Sequence, residues 1–176
     1  MDPLLEELQK TLRAAAEGMT VDELRWHPEG KWCAAEILEH LYLSYTGTIK
    51  GLERVLGSGK PTITEPTLTQ RFGTFVVMRF NYLPEGRKAP KNTQPRGLPV
   101  ERVRAEAEEK IAEMDAAIEK CEEKLGRGKL LDHPILGPLT GAQWRKFHLV
   151  HGRHHGKQIR RLRESVVTGY WLVGSG

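Results

Sequence analysis

Cysteine is scarce in this chain. There are two, Cys33 and Cys121, far apart in 176 residues, which argues against the disulfide framework of a small secreted scaffold and favours reduced thiols. Long apolar runs are missing too: nothing approaches the roughly 18 consecutive apolar residues of a membrane helix. The start, Met1-Asp2-Pro3-Leu4-Leu5-Glu6-Glu7, has neither the basic opening nor the apolar core of a signal peptide. A cytoplasmic protein with no membrane partner is expected. The net charge is a modest +4, and no recognised nucleic-acid motif accompanies it, so no nucleic-acid partner is expected. Much of the excess lies along one helical stretch, at Arg153, Lys157, Arg160, Arg161 and Arg163, where cations suit the negative end of a helix. No convincing strand pair and no internal repeat is visible.

What is present is helical periodicity over a length that suits one domain. Leu4, Leu5, Leu8, Leu12, Ala15 and Met19 recur every three or four residues. They predict a first amphipathic helix, opened by Asp2 and Pro3 and closed near Gly18. Thr20-Val21-Asp22-Glu23 has the form of a capping box and predicts a short second helix. Trp32 opens a long helix with a core stripe of Ile37, Leu41, Thr48, Leu52 and Val55, ended by Gly57-Ser58-Gly59. A shorter helix through Leu68, Phe72, Phe75, Val76 and Phe80 starts at Thr67 or Thr69. Residues 84–99 hold four prolines and little apolar content, which reads as a long surface loop of the kind that often carries function. Val103, Ala107, Ile111, Met114, Ile118, Cys121 and Leu125 mark the next long helix. Thr140-Gly141-Ala142-Gln143 caps the last one. The expected fold is all-α: an antiparallel four-helix bundle, with an extra short helix and a long loop between its second and third main helices. The bundle is expected over residues 1–165, followed by an apolar tail, 166–176, that packs on the bundle or on a second subunit.

Four of the seven histidines, His148, His151, His154 and His155, crowd into the last helix. At about 100° per residue, with His148 at zero, His151 falls at about 300° and His155 at about 340°, beside Trp144, Ile159 and Leu162. The cations Lys146, Arg153, Lys157 and Arg160 fall on the opposite side. His151 and His155 therefore face the core, where an imidazole without a partner costs about 1–3 kcal/mol. A shared metal ion satisfies two rings at i and i+4, and hydrogen bonding within the core is the alternative. His148 lies on the same face one turn earlier, as a fourth ligand, a supporting donor or a plain helix-face residue. His154 points toward an edge. His27 and His133 both precede proline and belong in turns. His40 is the one histidine inside another long predicted helix, and spacing alone does not bring it to the pair.

Two segments resemble a known family. Trp32-Cys33-Ala34-Ala35-Glu36-Ile37-Leu38-Glu39-His40-Leu41 looks like the metal-histidine helix of DinB-like proteins. His133-Pro134-Ile135-Leu136-Gly137-Pro138-Leu139-Thr140, then Trp144 and His151-Gly152-Arg153-His154-His155-Gly156-Lys157-Gln158-Ile159, looks like the family's last helix and its lead-in. This second segment is the more specific, and the likeness runs in helix order from about residue 3 to 163. The resemblance implies a divalent metal on His40, His151 and His155, and often a homodimer. Cys33 departs from the family's Ser or Thr at that place, and a thiol is a poorer helix cap than a hydroxyl.

Three neutral imidazoles leave a tetrahedral ion an open position for water or a substrate. The family includes transferases and isomerases that work with low-molecular-weight thiols. The leading expectation is thus a metal-dependent transferase using such a thiol, with loop 84–99 over the pocket and a small-molecule substrate within it. A metal-dependent hydrolase, with Glu36 as its candidate acid or base, is the second expectation. A non-enzymatic metal-binding stress or interaction protein is the third. Imidazole ligands suit zinc, nickel, iron or copper, with availability deciding; zinc is the first expectation and nickel the next.

Overall fold

A computed structural model describes residues 1–84, 86 and 88–167, the last of these by its backbone alone. Six α-helices appear among them: α1 Pro3–Ala15, α2 Val21–Arg25, α3 Ala34–Ser58, α4 Leu68–Phe80, α5 Val100–Leu125 and α6 Gly141–Val167. The fold is all-α in character, as the periodicity predicts. Most of the expected apolar tail lies outside the described residues. The expected boundary at residue 165 falls inside α6, where Val166 is buried.

Local chemistry sets the helix ends. Asp2 caps α1 by accepting the Leu4 N–H at 2.8 Å, with Pro3 pre-set for the first turn. Thr20 with Glu23 and Thr67 with Gln70 form reciprocal capping boxes. Thr140 and Gln143 do the same ahead of α6: Gln143 Oε1 accepts the Thr140 N–H and Thr140 Oγ1 accepts the Gln143 N–H.

The main body is made by α1, α3, α5 and α6, with α3 packed on α5 and α1 on α6. Leu5, Leu8, Leu41, Leu52, Ile111 and Ile118 are all essentially buried in its core. Gly152 and Gly156 let α1 lie close to α6. A Cβ at Gly152 would overlap Leu8 Cδ1, and one at Gly156 would sit 3.2 Å from Thr11 Cγ2. At the other side, Arg145 Nε donates to Asp115 Oδ1 and Arg145 Nη1 to Glu122 Oε2, both at 2.7 Å. Asp115 Oδ2 also accepts the Asp2 N–H at 2.7 Å, so one cluster ties together α1, α5 and α6.

One sequence expectation is corrected, and two features that periodicity leaves open are added. A strand pair does exist: β1 Lys129–His133 and β2 Gly137–Thr140 form an antiparallel hairpin. The strands are too short to show alternation, and Gly137 turns the chain at φ 72°. Thr62, in the segment between α3 and α4, pairs alongside Leu131 as an isolated bridge. The apolar residues of α4 are mostly not core: Leu68, Phe72, Phe75 and Phe80 are 84%, 69%, 56% and 61% exposed, and only Val77 is buried. The basic residues of α6 also serve other partners than their own helix end. Arg163 Nη1 donates to the carbonyls of Ala14 and Glu17 at the end of α1, and Arg153 pairs with Glu7. Among the described residues, no helix is long and apolar enough to cross a membrane.

Candidate metal centre

Helix α3 carries His40 and α6 carries His151 and His155. The packing of the two helices brings the three rings together. His151 Nε2 lies 3.1 Å from His40 Nε2 and 3.1 Å from His155 Nε2. His40 and His155 are buried and His151 is partly exposed.

The outer nitrogens fix the tautomers. His40 Nδ1–H donates to the Thr93 carbonyl at 2.8 Å, and His155 Nδ1–H donates to Gln158 Oε1 at 2.7 Å. Both rings therefore turn a bare Nε2 lone pair inward. His151 cannot satisfy both. A proton on its Nε2 serves one neighbour only. A proton on its Nδ1 lands on a buried atom with no partner among the described residues and leaves three lone pairs facing one another. A cation at their convergence resolves the conflict for all three. The spacing suits it: nitrogens at about 2.0–2.1 Å from a tetrahedral zinc stand roughly 3.3 Å apart. Burial holds all three imidazoles in the neutral form that binds metal, His155 down to about 3, with mutual repulsion pushing His151 and His155 further the same way.

Packing holds what hydrogen bonds do not. Phe147 stacks on His151, with centroids 5.3 Å apart and an interplanar angle of 18°. Trp32 lies against His40 at 5.3 Å. The cluster sits in a cleft of about 1380 Å³, walled by Phe72 and Val76 of α4, Leu136 of the hairpin and the loop through Thr93. That loop, expected to be irregular, contains a 3₁₀ turn at Lys91–Thr93.

The remaining histidines separate by role. His148 is buried and donates through Nε2 to Thr48 Oγ1 at 3.1 Å. It stands outside the ligand cluster. His154, expected at an edge, is half-buried and lines the cleft. Its Nε2 accepts from Gln158 Nε2 at 3.3 Å, so Gln158 bridges His154 to His155. His133 ends β1, where its Nδ1 accepts the N–H groups of Ile135 and Leu136 at 3.1 Å each. Glu36 lines the cleft but is committed to the helix start: its Oε2 accepts the Cys33 N–H at 2.9 Å. His27 lies 3.6 Å from that same oxygen. Cys33 occupies the N-cap, buried, its thiol pushed toward the neutral form by burial.

Sequence reasoning missed Thr93, Gln158 and Phe147 as supports of the rings. Gln158 and Phe147 were open to detection, because they stand three residues after His155 and four before His151. Thr93 contributes a backbone oxygen, which no side-chain pattern signals.

No curated protein and no solved structure gives a significant match to this chain. The family model of the DinB superfamily matches residues 4–159, a span that takes in all but the first residue of α1, all three converging histidines and the hairpin before α6. The chain belongs to the DinB superfamily.

Proposed function

We propose that the protein is a metal-dependent transferase acting with a low-molecular-weight thiol, its divalent ion held by His40, His151 and His155. The observation that carries this reading is the convergence of three Nε2 atoms, two of them with tautomers fixed by outer hydrogen bonds, in an open cleft. Zinc is the first candidate for the ion and nickel the second. When bound, the ion supplies Lewis acidity and, with three protein ligands, an open position for a thiol or water.

The chain's own residues do the rest. Thr93 and Gln158 orient two rings, and Phe147 and Trp32 shield the rings from water. Phe72, Val76 and Leu136 offer an apolar wall for the body of an electrophile. The cleft lining carries Lys31, Arg54, Lys88 and Arg161 against Glu36 and Asp132, a balance that suits an anionic cosubstrate. The hydrolase reading ranks below this one because Glu36, its candidate acid or base, is occupied as a cap. A non-enzymatic metal-binding protein predicts the same ion without turnover. A homodimer is part of the proposal, supported by the exposed apolar row on α4.

The test is elemental analysis of the purified chain beside a variant carrying His151→Ala and His155→Ala, then a conjugation screen. About one ion per chain is expected in the parent, with almost none in the variant. Mass spectrometry should detect thiol conjugates of supplied electrophiles. Ester, amide or phosphate cleavage without thiol would favour hydrolysis. A metal-loaded protein inert with every thiol and every ester would leave metal binding as its only activity.

A further inference from the structure

Glu39 is an acidic residue only 2% exposed, and among the described residues no side chain pairs with it. Its carboxylate instead accepts three consecutive backbone N–H groups: Arg96 at 2.7 Å, Gly97 at 3.0 Å and Leu98 at 3.1 Å. Those donors belong to the segment just past the Lys91–Thr93 turn. Thr93, at the end of that turn, supplies the carbonyl that receives His40 Nδ1–H. Two successive residues of α3 thus grip one loop, Glu39 at residues 96–98 and His40 at residue 93. Gly97 adopts φ 82°, a left-handed conformation that glycine tolerates at little cost and that lets neighbouring N–H groups converge on one carboxylate.

We infer that Glu39 is a positioning residue for the metal centre. It anchors loop 91–98 so that the Thr93 carbonyl fixes the tautomer and orientation of His40. The inference rests on the metal reading above and adds a residue that touches neither ion nor substrate. The same loop, through Asn92, Thr93 and Gln94, lines the cleft. Because His40 is shared between loop and ion, the two are thermodynamically linked: what orders the loop tightens the ion, and the ion orders the loop by the same factor.

The test uses Glu39→Gln, which keeps the shape but turns an amide N–H2 toward backbone donors. The parent and the variant are titrated with cobalt(II) alone under chelator competition. The parent is also followed by amide hydrogen exchange. Affinity should fall roughly 10–100-fold in the variant, as for other groups that orient a ligating histidine. The visible cobalt spectrum should change, and metal should slow exchange at Arg96, Gly97 and Leu98 in the parent. Asp115→Asn, which disturbs a buried carboxylate away from the centre, should lower the melting temperature and leave cobalt affinity unchanged. Should Glu39→Gln fail to fold, Leu98→Pro removes one donor from the loop side and leaves α3 intact; it should weaken cobalt in the same direction. A folded Glu39→Gln or Leu98→Pro chain with the parent's affinity and spectrum overturns the inference and leaves the three-histidine centre standing. A parent that binds no cobalt overturns both.

Discussion

Phe147 lies face to face with His151, 5.3 Å between centroids, and this contact does for His151 what a hydrogen bond does for the other two rings. His40 and His155 each have an oxygen on Nδ1, while His151 has none among the described residues. Phe147→Leu keeps most of the buried volume, at a cost below about 1.5 kcal/mol, but frees the His151 ring. Metal affinity should drop toward the lower end of the roughly 10–100-fold range seen for ligand-orienting groups. Isothermal titration beside a melting curve separates the two effects, and unchanged affinity would show that stacking does not hold the ring.

His40 and His148 make a contrasting pair, each donating to an oxygen on its outer side. His40→Ala should abolish tight binding and also lower the metal-free melt, since it removes a buried ring bonded to Thr93. His148→Ala should keep about one ion per chain and lower the melt, since it removes a buried ring packed against Trp144, Phe147 and Tyr45. Metal loss in the His148 variant would assign it a ligand role that its bond to Thr48 argues against.

Burial pushes His133 down to about 4, and burial together with repulsion from His133 pushes His148 down to about 3. In the unfolded chain both protonate near 6.5. Below that pH the unfolded chain takes up protons that the folded chain refuses, so these two groups favour unfolding increasingly as pH falls. Their contribution is constant above about 6.5 and declines toward 4 and 3, by up to about 1.4 kcal/mol per pH unit for each ring. Urea unfolding of metal-free protein across this range measures the slope. His133→Asn, which keeps an acceptor for the two N–H groups, should reduce it by one proton. An unchanged slope in that variant would show that His133 is not one of the titrating groups.

Gly152→Ala places a methyl against Leu8, which is fully buried. The expected loss is about 1–3 kcal/mol, the usual range for overpacking, read by denaturation. A neutral result would mean that α1 can shift on α6 without strain.

Leu68, Phe72 and Phe75 follow a step of four and a step of three along α4 and stay largely exposed. If a second copy covers them, Leu68→Glu with Phe75→Glu should convert a dimer to a monomer by sedimentation, with the melt of the monomer little changed. A parent already monomeric at high concentration would end the dimer proposal.

The sequence carried the helices well where one face is buried and the ends are capped. The stripe Ile111, Met114, Ile118 and Cys121 lies where periodicity puts it, and Thr20, Thr67 and Thr140 cap as their side chains predict. Helix α4 shows the limit of the same reasoning: periodicity reveals a helix but not what covers it. The hairpin escaped because two short strands hold too few residues for alternation to register. In the candidate site, wheel geometry brings His151 and His155 inward. Placing His40 opposite them took a family resemblance, since contacts between distant helices leave no local trace. The backbone acceptor at Thr93 and the three N–H groups at Glu39 are equally invisible, because they depend on loop conformation and not on residue type.

His40 and His151 stand 111 positions apart, and that interval has a consequence for how the protein is made. While the chain emerges, α3 is exposed long before α6 exists, so His40 waits without its partners until α6 has been made. An ion captured at the centre fastens α3 to α6. Its release would loosen a closure spanning most of the molecule, so that a chelator should speed unfolding as well as empty the cleft.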